Sequence, residues 1–533
     1  MKKLAAVVPL ALCGWFVLAG CLFVPRLGIQ ADEVYFSGGL YEPAAYRYGV
    51  RIFHRRVPLM LLNYLGATKT WFYAALFRVW PLSLNSLRVP MLAGGAAAVA
   101  LFWLLLARVA GRRAAVIGAV LLATDAVFLL VTLWGPVLFY HLLLLGSLLL
   151  FVRFHRTGGR GALAAAAFCA GLGLWDKALF LWALAGMAAA ALAAFPRPVL
   201  RAVTRRNAAA AALGLLAGAL PLAMFNVNSR GETLRGNSSF TLTEVAGKAE
   251  VLRDSLDGSL LFGWIVAEEG VPRAPRGPVE RAACALSDAF GQPTGSPVFW
   301  AYAAAFVLLP LLWRTPARKP VLFALVFSAV TWVQMAVTRN AGAAAHHTLL
   351  LWPMPHLAAA VVIAEVSRRG RRTGVALAAA VVLVLAGGNV LVANQYLAQA
   401  VRYGPGPGFS DAIFPLADYL ERLGARPVFL ADWGMLDPLR FLGRGKLPLR
   451  VVTDPLVKPA DGGDRKKVAE WLAEPGHVFV SHTKDRAVYP AARARLLELA
   501  AACGYRPEPP RVIADGRGRP VFEVYRFSRI GGR

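Results

Sequence analysis

The chain reads as an all-α polytopic membrane protein carrying a small α/β domain at its C-terminus. Three observations point there. Of 533 residues, 57% are hydrophobic and only 17% charged, well short of the roughly one quarter of charged residues usual in a soluble domain. Apolar runs of membrane-spanning length recur from residue 4 to residue 395, punctuated by short basic segments. Beyond Gly404-Pro405-Gly406-Pro407-Gly408 the composition turns to that of an ordinary soluble domain.

The apolar runs fall near 4–25, 89–107, 114–133, 136–152, 161–174, 178–195, 207–225, 297–313, 320–338, 347–366 and 373–395. That makes about 11 transmembrane helices. Basic segments without carboxylates lie at Lys2-Lys3, Arg108–Arg113, Arg153–Arg160, Arg197–Arg206, Arg314–Lys319 and Arg368–Arg372. Counted through eleven spans, they all fall on one side, which the positive-inside rule makes cytoplasmic. The N-terminus is then cytoplasmic and the C-terminus outside. The same placement explains the +28 net charge without a nucleic-acid partner. The runs at 161–174 and 178–195 are short. A tight hairpin with Asp176-Lys177 at its outer tip keeps the parity, whereas one long helix breaks it. Leu18-Ala19-Gly20-Cys21 also matches a lipoprotein cleavage box, but the apolar run continues to Val24, and residue 28 emerges outside either way.

This organisation predicts a transmembrane domain over 1–396 and an extracytoplasmic α/β domain over 397–533. In the tail, short apolar runs at Val428–Ala431, Leu449–Thr453, His477–Ser481, Val512–Asp515 and Val521–Tyr525 alternate with helical patterns at Val468–Ala473 and Ala491–Ala502. The first outer segment, 29–88, has apolar residues at helical spacing over Tyr41–Phe53 and Met60–Trp80, with Arg and Lys interspersed. It is expected to form interfacial helices. A second outer segment, 226–296, carries a helical pattern over Thr243–Leu261.

The candidate chemistry concentrates on the outer side. Asp32-Glu33 follows the first span directly. A carboxylate there can take a proton from an acceptor hydroxyl; Asp32 is the expected base, with Glu33 positioning an acceptor or pairing with a cation. The ordinary alternative is a solvated pair beside a span. His54, Arg55, Arg56 and Lys69 are candidate holders of a phosphate leaving group, against the alternative that such cations snorkel to headgroups. Asp125 lies inside the third span, where an acid is costly and functional by default unless an internal cation pairs with it. Asp176 and Lys177 either neutralise each other or serve a site. His346-His347, at the mouth of span ten, suit a phosphate or sugar; two histidines fall short of a metal site. No metal spacing is present and no cofactor is expected, with a divalent cation left open.

Asp-Glu after span one, the His54-to-Leu59 segment, Gly66-Ala67-Thr68-Lys69 and Ser86-Leu87-Arg88-Val89-Pro90 together resemble the GT-C glycosyltransferases. The nearest group is the bacterial relatives of protein O-mannosyltransferases and aminoarabinose transferases. Trp134-Gly135-Pro136 and Gly173-Leu174-Trp175-Asp176-Lys177 also look like segments of that group. The resemblance covers about residues 1–396. It implies sugar transfer from a polyprenyl-phosphate donor to an acceptor protein, lipid or glycan outside the cytoplasmic (inner) membrane of a bacterium. The family's first-loop acid carries over to Asp32 and, less directly, Glu33; its phosphate-binding loop cation carries over to Lys69. His54-Arg55-Arg56 stands where many members have His-Pro-Pro, and Asp125 is the nearest match to an acid after span three, though deeper. A lipid-linked polysaccharide polymerase or ligase, and a transporter with an accessory domain, are the rival readings.

Overall fold

The computed structural model describes residues 4–530 except 44, 340, 425, 458–462 and 474–475. Two compact units emerge. The first comprises Met1–Pro25, Tyr46–Phe262 and Arg276–Ala398; the second comprises Arg26–Ala45, Gly263–Pro275 and Gln399–Arg533.

The first unit is helical, and every expected apolar run falls on a helix. Among the described residues, six helices are long and apolar enough to cross a membrane: Val7–Arg26, Leu84–Val109, Leu138–Thr157, Arg205–Asn228, Arg318–Val337 and Arg372–Tyr403. Three bent pairs qualify jointly, giving up to nine spans. One of them, Arg112–Thr124 with Ala126–Trp134, bends by 61° at Asp125. The helix Val298–Val307 is shorter than a bilayer crossing requires, and Arg160–Asp176, with 17 residues, is at the lower limit.

Small residues set how closely these helices pack. A Cβ on Gly171 would lie 2.2 Å from the Leu215 carbonyl oxygen, and one on Gly218 would lie 2.3 Å from that of Phe168. The helices Arg160–Asp176 and Arg205–Asn228 therefore approach backbone to backbone, which only glycine permits at these positions.

In the segment 41–80 the structure corrects the sequence reading. Among the described residues, the helix expected over 41–53 is absent. Tyr48–Ile52 forms a strand, β1, paired antiparallel with Arg55–Met60, β2, with Ile52 opposite Arg55. Val50, Ile52 and Val57 are β-branched and suit a pleated surface, and Pro58 is tolerated because neither strand has a second neighbour. Phe53 turns the chain at a positive φ of 53°. Over 60–80, the helix is confined to Thr68–Leu76.

The second unit holds a five-stranded sheet in the order β4-β3-β5-β8-β7. The strands are Val428–Leu430 (β3), Leu449–Val451 (β4), Val478–His482 (β5), Arg511–Ala514 (β7) and Pro520–Tyr525 (β8). All five coincide with the apolar runs in the tail. The first three are mutually parallel, and β8 runs antiparallel to β5 and β7. Tyr505–Pro507 (β6) and Phe527–Arg529 (β9) make a separate pair. Helices Gly463–Ala473 and Pro490–Ala502 cover one face, burying Val468, Leu472, Leu496 and Leu499 against Phe429, Phe479 and Tyr525. Residues 26–45 and 263–275 join this unit through backbone bonds such as Gly28 N to Phe409 O at 2.7 Å and Arg273 N to Arg402 O at 2.8 Å.

The close helix pair yields a test. Gly218→Val should push Phe168 and its helix away, costing about 1–3 kcal/mol as overpacking does, and should lower the unfolding temperature in detergent. Gly14→Ala, with nothing within 4 Å of its added Cβ, should leave that temperature unchanged.

Candidate active site

The membrane unit gathers several of its candidate residues around one turn. Helix Arg160–Asp176 ends at Asp176, and the next helix begins at Phe180. The intervening turn is stitched to the first outer segment. Gly66 N donates to Asp176 O at 3.0 Å, Ala178 N to Tyr64 O at 2.8 Å, and the Trp175 indole to Leu59 O at 2.8 Å. Leu65 and Lys177 form a β-bridge.

These bonds bury Asp176 and Lys177, which sequence alone had placed at a hairpin tip. The Asp176 carboxylate accepts a hydrogen bond from Thr68 Oγ1. The charges of Lys177 and Lys69 both act on it, as burial of a carboxylate demands. Lys69 Nζ also donates to Trp134 O at 3.0 Å. That carbonyl ends the helix Ala126–Trp134, whose C-cap Gly135 is left-handed at φ 69°; a cation there is favoured by the helix dipole. Lys177 further acts on both His346 and His347, whose rings lie 4.3 Å apart. Gly342 N donates to His347 Nδ1 at 3.2 Å. Lys69, Asp176 and Lys177 thus act on one another at this turn, and the His346–His347 pair lies within reach of the Lys177 charge.

Other candidates lie elsewhere in this unit. His54, Arg55 and Arg56 are exposed at the tip of the β1–β2 hairpin. Asp125 caps the helix that follows it, accepting from Phe128 N at 2.7 Å. Its second oxygen meets the Trp352 indole at 2.9 Å and His356 Nε2 at 3.0 Å, and Tyr302 OH lies 2.9 Å from the same nitrogen. The acid that breaks the helix is also what holds the break closed. Sequence reading overlooked two residues here. Thr68 stands inside a motif it had quoted. Lys248 is buried, with Nζ 2.8 Å from Thr338 O and 3.0 Å from Glu244, and an isolated lysine on a polar helix gives no such signal.

In the second unit, Asp32 and Glu33 occupy the four-residue helix Ala31–Val34. Gln30 accepts from Asp32 N at 2.6 Å and Glu33 N at 3.2 Å, while the Glu33 carboxylate turns back to Gln30 N at 3.5 Å. This capping box buries Glu33 and leaves Asp32 partly accessible. Nearby, the buried Arg440 guanidinium binds Glu42 at 2.6 Å and Asp437 at 2.7 Å. Burial raises the Asp437 carboxyl to about 7; the charges of Asp32 and Glu42 push the same way, and Arg440 opposes them. None of Glu42, Asp437 or Arg440 carried a sequence signal, because nearly 400 residues separate the first from the other two.

The whole architecture has solved counterparts. It matches ArnT from Cupriavidus metallidurans bound to undecaprenyl phosphate with a TM-score of 0.56, covering 98% of this chain and 97% of that one at 13% identity. The chain has the GT-C fold. A second GT-C match is the archaeal oligosaccharyltransferase AglB from Archaeoglobus fulgidus, in complex with an inhibitory peptide and a dolichol-phosphate. Its TM-score is 0.53 at 14% identity, covering 98% of this chain and 74% of that one. No protein-family model and no curated protein sequence matches the chain. The GT-C likeness therefore rests on three-dimensional structure, at identities too low for sequence comparison.

The Asp437 carboxyl makes a pH prediction. Its ordinary value is 3.8 and its folded value about 7, so the native state holds a proton that the unfolded chain has lost between those limits. The stabilisation is complete below about pH 4 and lost as pH rises through 7, at about 1.4 kcal/mol per pH unit for one proton. Hydrogen exchange in helix Leu436–Leu442, corrected for intrinsic rates, should show opening free energy falling from pH 5 to pH 7. Asp437→Asn should flatten that slope; an unchanged slope would assign the proton to another group.

Proposed function

We propose that the chain is an integral-membrane glycosyltransferase that moves a hexosyl or pentosyl group from a polyprenyl-phosphate donor to an acceptor protein, lipid or glycan at the extracytoplasmic face of a bacterial inner membrane. The observation that carries this reading is the gathering of Lys69 and Lys177 at buried Asp176, with the His346–His347 pair within reach of Lys177, within a GT-C fold whose solved counterpart holds undecaprenyl phosphate. The alternation of basic segments supports eleven spans, a cytoplasmic N-terminus, and a transmembrane domain that gives way near residue 396 to an outer domain.

The chemistry follows from what the reaction must stabilise. The bond from the anomeric carbon to the phosphate oxygen breaks, and its electron pair leaves with the lipid phosphate. Cations beside that phosphate are worth most when the added charge develops in a site shielded from water. We assign this role to Lys69, with Lys177 as the second cation and the neutral imidazoles of His346 and His347 available to hydrogen-bond the donor. The acceptor hydroxyl attacks the anomeric carbon as the phosphate departs and gives up its proton. We assign the base to Asp32. Both carboxylates bond Gln30, Asp32 through the side-chain amide and Glu33 through the backbone; the greater accessibility of Asp32 favours it for that role and leaves Glu33 to hold the backbone that presents it. On this reading His54, Arg55 and Arg56 attract anionic headgroups, and Asp125 fixes the bent span.

The direct test is release of polyprenyl phosphate from a polyprenyl-phosphate sugar by the purified protein in its presence but not in its absence. Asp32→Asn keeps the shape but cannot take the proton, so transfer should fall by at least about a hundredfold while donor binding is kept. Glu33→Gln should cost less than Asp32→Asn; the reverse order would exchange the two roles.

The cation assignment is tested separately. Lys69→Ala should weaken donor use about ten- to a hundredfold, the worth of one charge-assisted contact, and Arg56→Ala should do much less. Equal, small effects in donor-titration kinetics would remove both residues from the phosphate.

A further inference from the structure

The tail carries a second constellation that sugar transfer in the membrane unit does not use. In the sheet, β3 has β4 on one side and β5 on the other, all three parallel. The connection from β3 leads to β4 and that from β5 leads to β7 and β8 on the other side, and the crevice outside the carboxyl ends of two such strands is where open α/β sheets hold ligands. Asp432 stands two residues beyond β3 and His482 is the last residue of β5. Since the register pairs Leu430 with Val480, continuing it by two residues brings 432 beside 482.

Asp432 is buried and gathers this edge. Its Oδ1 accepts from Trp433 N at 2.8 Å and Tyr489 N at 3.0 Å; its Oδ2 accepts from Val488 N at 3.0 Å and meets His482 Nδ1 at 2.8 Å. An ionised carboxylate only accepts, so Nδ1 carries the proton and Nε2 of a neutral ring is the acceptor. The ring is braced by Phe522 at 4.9 Å, and Nε2 has no hydrogen-bond partner among the described residues. Beside it, Trp433 is 49% exposed and Tyr489 39% exposed, their backbones pinned to the same carboxylate oxygen. A carboxylate with all its capacity committed to aiming one imidazole and two exposed aromatics is more than a surface loop requires.

We propose that this edge is a saccharide-binding site. Trp433 and Tyr489 supply flat faces for the C–H side of a sugar ring, His482 Nε2 takes a hydrogen bond from a sugar hydroxyl, and Asp432 is the positioning residue. The aromatic faces and single uncharged acceptor suit a ligand that is apolar on one face, hydroxylated on the other and without charge. Ser481 is not a nucleophile for this imidazole, because it is buried and its place on β5 points it to the opposite face from His482. The proposal stands whether or not the membrane unit is a transferase.

The test uses the full chain in a detergent free of sugar headgroups, with cellotetraose and chitotetraose as probes. Saturation-transfer NMR should show saturable binding of at least one of them. Trp433→Ala and His482→Gln should each weaken it at least about tenfold with unchanged unfolding temperature, while Trp80→Ala, at an exposed aromatic of the first unit, should bind as the parent does. Asp432→Asn should bind weakly and move the proton of His482 from Nδ1 to Nε2, visible in its ¹⁵N shifts, a readout that loss of packing alone would not give. Absence of binding for both probes, or Trp433→Ala and His482→Gln variants that bind as the parent does, would overturn the proposal.

Discussion

Burial of the Asp176–Lys177 turn is the constraint on which the membrane unit's arrangement depends. Two opposite charges lie out of solvent where two helices meet, and neither is tolerable there unless paired and hydrogen-bonded. The first outer segment meets that requirement. Its backbone from Leu59 to Gly66 bonds the turn, and Thr68 reaches the carboxylate. Lys69 follows Thr68 by one residue, so the contact that satisfies Asp176 also fixes where the ammonium of Lys69 stands. His346 and His347 come under the influence of the same buried charge. The arrangement is one solution to a solvation problem, and that solution brings two cations, Lys69 and Lys177, to one buried acid.

Asp125 shows the opposite use of a buried acid. Its two oxygens are committed to Phe128 N, Trp352 and His356, and the helix bends where it sits. Breaking a span exposes backbone groups that the bilayer cannot satisfy; a side chain that caps the new N-terminus while bonding a neighbouring helix removes that cost. An acid inside a span is therefore an ambiguous sign. The same expense that marks it as functional also makes it an effective structural device once partners are available.

The second unit repeats the theme. The Arg440 guanidinium ties Glu42 to Asp437, and Asp432 ties three backbone amides to one imidazole. In both, a buried charged group collects segments distant in sequence. The first cluster surrounds Asp32 with further acids, which sets the charge environment of the residue assigned as base. The second presents an aimed imidazole beside exposed aromatics.

Much of this was legible in the sequence, because the signals were local. Apolar runs gave the helices, basic segments gave their punctuation, and the alternation in the tail gave all five strands of its main sheet together with the helices at 463–473 and 490–502. The hairpin at 48–60 was missed because a short stretch with mixed Arg and apolar residues fits two periods, and only pairing to a partner strand decides between them. Asp32, Lys69 and the His346-His347 pair stood out by residue type and position. What the tertiary structure alone decided is which groups share an environment. Asp176 with Thr68, Lys248 with Thr338, Glu42 with Arg440 and Asp432 with His482 are separated by 50 to nearly 400 residues, and no local pattern encodes such a meeting. Hydrophobic periodicity is a property of neighbours along the chain. The pairing of buried charge belongs to neighbours in space, so it appears only once the chain has folded.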